Sequence, residues 1–447
     1  MTGLARVAMS GRDIEDIVRM VLAESKRLGA DQAEAAASHD LGIAATARLG
    51  TVENLEYTND RGIGVTVFFG TRKGSASTSD FSPAALSETV RKACAFARYT
   101  EADPCAGLAD AERMATEIPD LDLAHDWAIE SEQAIAIAVE SEDAARSFDK
   151  RITNSEGATV STNNGIRAYG NTHGFLASFR KSSHSISCVV VGEQNGDMQR
   201  DYHYTSARDP ADLEAAKAVG ERAARRTIDR LGGKKVKTCK ARVLLAPEIA
   251  RSFFGHAVAA VSGGAQYRRS SFLLEAAGQQ IFPPFLQIQE RPHIAKGMAS
   301  AAYDAEGVAT RDRDLVVDGV LQGYVLGSYS ARRLGLSTTG NAGGAHNLIV
   351  PGNARDLASL VRDMGTGLLV HELIGQGVNP VTGDYSRGAA GFWVEHGEIA
   401  YPVHEVTIAG NLRNLYRRIV AVGQDQDLRG GIRCGSVLID EMAIAGT

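Results

Sequence analysis

"GAAGFWVEHGEIAYPVHEVTIAGN", residues 388 to 411, consists of two extended, partly apolar runs separated by a polar tip that contains Gly397. An extended run, a short turn with glycine and a return run predict a β-hairpin. The same pattern occurs in "LVVDGVLQGYVLGSY" at 315–329, and "GGIRCGSVLIDEMAIAG" at 430–446 adds short strand-like runs with glycine punctuation. The second half of the chain is therefore expected to be mostly antiparallel sheet. It opens in "KVKTCKARVLLAPEIARSFFGHAVAAVSGGA", 235–265, as a strand into Leu245, a turn at Pro247 and then a helix.

Upstream, helices and hairpins alternate. Residues 12–28 place Ile14, Ile17, Val18, Val21 and Leu22 at helical spacing, and Gly29 follows as a C-cap. "ENLEYTNDRGIGVTVFFGTRKGSASTSD", 53–80, reads as two strands joined by a turn over Gly70–Gly74. "SPAALSETVRKACAFARY", 82–99, has Ser82 as N-cap and Pro83 as the first helical residue. The acidic, turn-rich stretch 102–123 reads as a linker or surface excursion. A helix is expected over 128–148, successive antiparallel strands over 151–205, and a helix over 209–232 that ends at Gly232-Gly233. The fold class is α+β: a helix and hairpin N-terminal unit, 1–235, containing a middle strand-rich segment, followed by a largely antiparallel sheet domain, 236–447.

Composition sets the outer bounds. With 447 residues and 44% hydrophobic content, the chain can bury two or three cores at ~100–200 residues per domain. There are 48 basic and 54 acidic residues, the net charge is -6, and no long block of like charge occurs. This argues against nucleic acid or an anionic membrane as a partner. The first 25 residues have no signal-like apolar core, because Arg12, Asp13, Glu15 and Asp16 interrupt it, and no stretch elsewhere approaches membrane-spanning length. A cytoplasmic location is expected. The five cysteines, Cys94, Cys105, Cys188, Cys239 and Cys434, lack CxxC spacing, so reduced thiols are expected.

The chemistry candidates begin with "GLLVHELIGQGVNP", 367–380, where His371 and Glu372 follow an apolar run as in a zinc peptidase helix. A second histidine should come four residues on, because positions i and i+4 share a helix face, but Gly375 stands there and Gln376 stands at the longer spacing. Half the motif is present, and glycines on both sides favour a strand or helix end with a local structural role. His256 sits in the apolar "FFGHAVAAV", with Ala259 and Ala260 at i+3 and i+4, so it reads as a core or interface residue. Cys434, between glycine-rich neighbours, could be a ligand or nucleophile only with a base brought from elsewhere in the chain. "GVNPVTGDYSRGAAGFWVEHG", 377–397, centres on Gly383, Asp384, Tyr385, Ser386 and Arg387. Its glycines would admit a close-packed peptide or chain at a strand edge, and the plainer alternative is a tight turn with a structural Asp. No phosphate-loop or dinucleotide pattern occurs.

At these residues the chain becomes similar to a known family. The stretches 372–412 and 423–439, "GQDQDLRGGIRCGSVLI", resemble the carboxy-terminal signature of the PmbA (TldE) branch of the TldD/PmbA metallopeptidases. "RGIGVTVFFGTRKGSASTSDFS" and "VLLAPEIA" extend the resemblance along the whole chain. The resemblance implies two α/β units, a dimer enclosing a cavity, and proteolysis of peptides in the bacterial cytoplasm. It also implies that a TldD-like subunit carries the zinc, on a helical HExxxH after a "VLL" strand, with a cysteine from near the carboxy terminus. In "RVLLAPEIARSFFGHAVAAV" no such histidine pair exists, and Cys434 stands where the cysteine would be. The implied role is a subunit with an incomplete zinc site of its own and no metal assigned to it, paired with a TldD-like chain or with itself and lining the substrate chamber. Two alternatives stay open: an independent zinc metallopeptidase using His371 with distant ligands such as His396 or His404, and a peptide-binding or regulatory module without catalysis.

Overall fold

The computed structural model describes residues 9–446. The amino-terminal half opens with α1 (Gly11–Arg27), β1 (Gln32–Arg48), β2 (Thr51–Phe69), β3 (Arg72–Thr78) and α2 (Pro83–Tyr99). It continues with α3 (Ser131–Phe148), β4 (Ile152–Asn171), β5 (Leu176–Gln194), β6 (Asp197–Ala207) and α4 (Ala216–Asp229). These strands form one antiparallel sheet in the order β3-β2-β1-β4-β5-β6. Two tight turns set its registers, Leu49-Gly50 and Asn195-Gly196, in which both residues have positive φ, the geometry that matches strand twist in a two-residue hairpin. β1 is one continuous strand that pairs along its length with β2.

Alternation along β1 buries Ala33, Ala35, Ala37, Ala45 and Ala47 on the face that carries the helices. α1 and α2 cover one end of that face with Ile14, Val18, Leu86 and Val90, and α3 and α4 cover the other with Ala134, Ala138, Val219 and Ala223. The small residues let α3 and α4 approach to backbone contact: a Cβ added at Gly220 would lie 1.9 Å from the Ser141 carbonyl oxygen. Gly220→Ala is expected to force the helices apart and cost about 1–3 kcal/mol, read as a lowered urea midpoint.

The stretch 102–123, expected as a linker or surface excursion, is irregular in backbone but packed, with Leu108, Ala109, Ala115, Leu121 and Leu123 buried. Arg332, from the second half, hydrogen-bonds the Gly107 and Leu108 carbonyls and so clamps the segment down. Apolar residues spaced without a period still bury one by one, which is why periodicity does not reveal them.

The second half contains β7 (Cys239–Leu245), α5 (Pro247–Ala260), α6 (Gly263–Tyr267), β8 (Ile288–Glu290), β9 (Arg313–Val317), β10 (Val320–Leu321), α7 (Ser328–Leu334) and β11 (Leu348–Ile349). Then come α8 (Leu357–Met364), β12 (Gly367–Ile374), β13 (Asp384–Glu395), β14 (Glu398–Asn411), α9 (Leu412–Arg417), β15 (Ile419–Val422), β16 (Ile432–Arg433) and β17 (Val437–Ala445). The opening hairpin is confirmed as β13–β14, turning at His396-Gly397 with positive φ at both residues. Its sheet runs β14-β13-β12-β7-β17-β15, and β14 also pairs with β17, so the sheet curls round and closes.

The sheet is not purely antiparallel. β12 pairs with β7 in parallel, and in a separate five-stranded sheet, β10-β9-β8-β11-β16, β11 pairs with β16 in parallel. A central strand in such a sheet is covered on both faces. One face of β7 and β12, Val243, Leu245, Leu368 and Val370, joins the core around α5 and Tyr416, while Leu244 and Leu369 pack on α8. That two-sided burial explains the unbroken apolar runs "VLL" and "LLV", and it makes "GLLVHELI" a strand where a metallopeptidase motif would need a helix.

Candidate functional site

His371 and Glu372 lie near the end of β12, at a β-bulge. Val370 pairs with Gly391 and Glu372 with Ala390, which leaves His371 as the extra residue. A bulge re-aims side chains that would otherwise point to opposite faces. The partner strand fits it tightly, since a Cβ at Gly391 would lie 1.9 Å from the Leu369 carbonyl oxygen.

The Glu372 carboxylate meets Arg230 at 2.7 Å, and Arg230 also reaches Asp201 at 3.3 Å. Asp201 is shared with Arg226 at 3.3 Å, and Arg226 pairs with Glu248 in the first turn of α5 at 2.7 Å. This chain of charges ties β6 and α4 of the first half to α5 and β12 of the second. Burial tends to raise the Glu248 pKa, but the Arg226 charge and hydrogen bond outweigh it and hold the carboxyl below its ordinary value. His371 stands beside this network with its ring edge-on to Phe392 at 5.4 Å. Burial is the main cause that lowers its pKa, with the Glu248 charge acting in the opposite direction, so the imidazole is neutral at pH 7.

His371 lines a cavity of about 1010 Å³ between the two halves. Leu369, Phe392, Ile399 and Tyr401 supply its apolar wall, and Arg226, Arg230 and Arg362 line it as well. Such a shape, mostly apolar with a few convergent polar groups, suits a small ligand or a side chain. The charged residues Asp201, Arg226 and Arg230 that line it, and Glu248 that pairs with Arg226, come from separated segments without a motif, so nothing in the sequence pointed to them. The histidines proposed to accompany His371 have other surroundings. His396 is exposed at the hairpin tip, and His404 Nδ1 lies 3.4 Å from Gln199 Nε2.

Cys434 directly follows β16 and is fully buried, and burial pushes its thiol well above the ordinary range. The thiol is therefore protonated and a weak ligand or nucleophile. Nearby Asp427 is held by Arg429 through Nε at 2.8 Å and by Arg251 at 3.4 Å, and Arg251 also donates to the Tyr204 hydroxyl at 2.8 Å. Two guanidinium groups already neutralise the Asp427 carboxylate, and the second carboxylate near the thiol, Asp425, accepts from the Ser436 hydroxyl at 2.6 Å and from its amide at 3.1 Å. A zinc site needs three or four converging His, Cys or carboxylate donors, and among the described residues no three come together. At Cys434 a protonated thiol and a carboxylate already paired with two arginines do not fit a zinc ion.

The Gly383–Arg387 stretch divides by role. Gly383, at positive φ, packs against Phe272. The Asp384 carboxylate accepts hydrogen bonds from the Thr382 hydroxyl at 2.7 Å and from Asn411 at 3.2 Å, which hold its carboxyl below the usual range. These are structural duties at the start of β13. Tyr385 is buried against Phe253 and His256, with its phenol pushed up to about 12, chiefly by burial. Ser386 is exposed, its amide donating to the Gly377 carbonyl at 2.6 Å. Arg387 forms no ion pair among the described residues, and its Nε is buried without a partner.

No helix among the described residues is long and apolar enough to cross a membrane. Residues 33–97, 124–231 and 238–446 match, respectively, domain 1, the central domain and the C-terminal domain described as PmbA/TldA metallopeptidase. The chain is 49% identical to the metalloprotease PmbA of Escherichia coli O157:H7 over 446 residues, covering 100% of this chain and 99% of that one. A crystal structure from Bacteroides thetaiotaomicron, of a protein named for modulating DNA gyrase, superposes with a TM-score of 0.93 at 24% identity over 98% of this chain and 100% of that one. TldE from Thermococcus kodakarensis superposes with a TM-score of 0.81 at 19% identity, over 96% and 100%. With its three domains matched in order and half its residues identical to a full-length relative, the chain belongs to the PmbA/TldD metallopeptidase family.

Proposed function

We propose that this chain is a PmbA/TldE-like component of a cytoplasmic metallopeptidase that degrades or matures peptides, and that the zinc and the bond-breaking step belong to a TldD-like partner chain. The observation that carries this reading is the charge arrangement at Cys434. The Asp427 carboxylate there is neutralised by Arg251 and Arg429, Asp425 is taken up by the Ser436 hydroxyl and amide, and the thiol is held protonated. A divalent cation would have to displace fixed positive charge. On this reading the chain contributes binding surface, and the cavity between its halves and the open flank of α5 are the parts available for it.

The test is reconstitution. The purified chain alone is expected to cleave peptides at background level and to bind no stoichiometric zinc, while adding a purified TldD-like chain raises turnover more than about tenfold over either alone. Cleavage by the isolated chain, abolished by chelator and by Glu372→Gln, would instead establish an independent metallopeptidase built on His371. Peptide affinity without turnover in the mixture would point to a binding or regulatory module.

A further inference from the structure

Buried polar side-chain atoms in folded proteins nearly always have hydrogen-bond partners, and those that lack one call for a missing partner. Here two such atoms, His256 Nε2 and Arg387 Nε, belong to one cluster. Among the described residues, Arg387 is the charged group whose field acts on His256. Tyr385 and Arg387 are two apart on β13, so their side chains share a face. The Tyr385 ring lies 6.3 Å from Phe253 and 6.1 Å from His256, three residues apart on α5, which places Arg387 along the same flank of the helix. Arg208 and Arg313 also carry one unpartnered nitrogen, but their other nitrogens are hydrogen-bonded; Arg113 lies 3.7 Å from Asp110, and Arg433, unpartnered as well, is not among the charges that act on His256. Arg387 has no hydrogen bond and no counter-ion among the described residues.

Both side chains are half-buried and so partly open to solvent. Pairing of β12 with β13 ends at Ile374 and Gly388, so the backbone flanking Arg387 is the turn from Gly375 to Gly377. A Cβ at Gly375 would meet nothing within 4 Å. Ser252 and Ala259, the i−4 and i+3 helical neighbours of His256, line a groove of about 650 Å³ on the open side of α5, next to the pair but lined by neither His256 nor Arg387.

We propose that Arg387 and His256 form a carboxylate-binding site for a bound peptide, which rests on the peptide-acting reading above. The planar guanidinium offers parallel N–H groups to the two oxygens of a carboxylate, and the imidazole supplies a further N–H. One fixed cation balances one negative charge. A phosphate monoester, with close to two negative charges, would be left under-neutralised. The carboxylate can come from a peptide's C-terminus or from an Asp or Glu side chain.

The test is fluorescence anisotropy on the full chain without a partner. It uses three labelled apolar pentapeptides of one sequence: the free acid, the C-terminal amide, and the amide with a central Glu. At least one carboxylate-bearing peptide is expected to bind about tenfold or more tighter than the plain amide, and which one does so identifies the source. Arg387→Gln should remove that advantage, so that the carboxylate-bearing peptide binds no tighter than the plain amide, and His256→Gln should reduce it several-fold. If Arg387→Gln does not fold, Arg387→Lys serves instead: it keeps the charge but loses the two-pronged donor, and should still lose most of the advantage. Equal binding of all three peptides, or an advantage that survives Arg387→Gln, overturns the site while leaving the peptide-acting reading in place. Failure of all three to bind overturns both.

Discussion

Replacing Asp427 with Ala is expected to destabilise the protein by about 3–5 kcal/mol, the usual cost of stripping one partner from a buried ion cluster. The Asp427 side chain is only 2% exposed and is the carboxylate that Arg251 and Arg429 share. Arg429 is held there further, with its guanidinium 4.4 Å over the Tyr204 ring and a nitrogen on the Tyr204 carbonyl at 2.9 Å. Neither arginine can swing fully into water without giving up other bonds, so both would stay partly buried without a counter-charge. Denaturant unfolding of Asp427→Ala checks the size of the loss, and Asp427→Asn, which keeps an acceptor of nearly the same shape, separates charge from hydrogen bonding.

The same group predicts an acid dependence. Burial tends to raise the Asp427 pKa, but the hydrogen bonds and charge of Arg429, with Arg251, outweigh it and hold the carboxyl below its ordinary value in the folded state. A carboxyl with a depressed folded pKa contributes stability above its unfolded pKa and loses it as pH falls through the folded value. Wild-type stability should therefore fall on acidification below the ordinary carboxylate range, and Asp427→Asn should fall less steeply. Equal slopes for the two proteins would refute the assignment.

Truncating Tyr416 to Ala is expected to cost about 3–5 kcal/mol, as for other large aromatic deletions in a core. Its ring is fully buried where the second half is densest, 4.8 Å from Phe253, 4.9 Å from Phe282 and 6.2 Å from Phe272. The hydroxyl donates to the Phe253 carbonyl at 3.0 Å. Tyr416→Phe removes that bond alone and leaves one buried carbonyl short of a donor, a loss of about 1–3 kcal/mol. If the two variants lose the same amount, the hydrogen bond and not the packing holds this part of the core. Because Phe253 lies on α5, three residues before His256, the Ala variant should also loosen the helix flank that carries His256 and Arg387.

Much of this fold was legible in the chain. The period-2 runs of β4, β5 and β14, the Ser82-Pro83 start of α2, and the strand-Pro-helix passage through Leu245 and Pro247 all act through neighbours a few residues away. So do the hairpin turns, where His396-Gly397 closes β13 on β14. What the chain left open or obscured shares one cause. "GLLVHELI" has a composition that suits a strand or a helix, and the choice went to the strand because β7 and β13 flank it on both sides. The 102–123 stretch looked like a linker because it is polar and aperiodic, yet Arg332, more than 200 residues away, holds it in place.

The site divides in the same way. Sequence spacing alone established that His371 and Glu372 lack a second histidine, because that test depends only on helix geometry at i+4 and i+5. The family could also be read from the residues themselves. Only the folded chain could decide that the bulge at His371 lets Glu372 reach Arg230, that Asp427 is already neutralised beside Cys434, and that His256 and Arg387 share one unpartnered cluster. Local backbone preference and side-chain period act over a few residues, and the sequence carries them openly. The pairing and burial of charges depend on which distant segments are brought within a few ångströms, and that is settled only when the sheet closes and the two halves pack together.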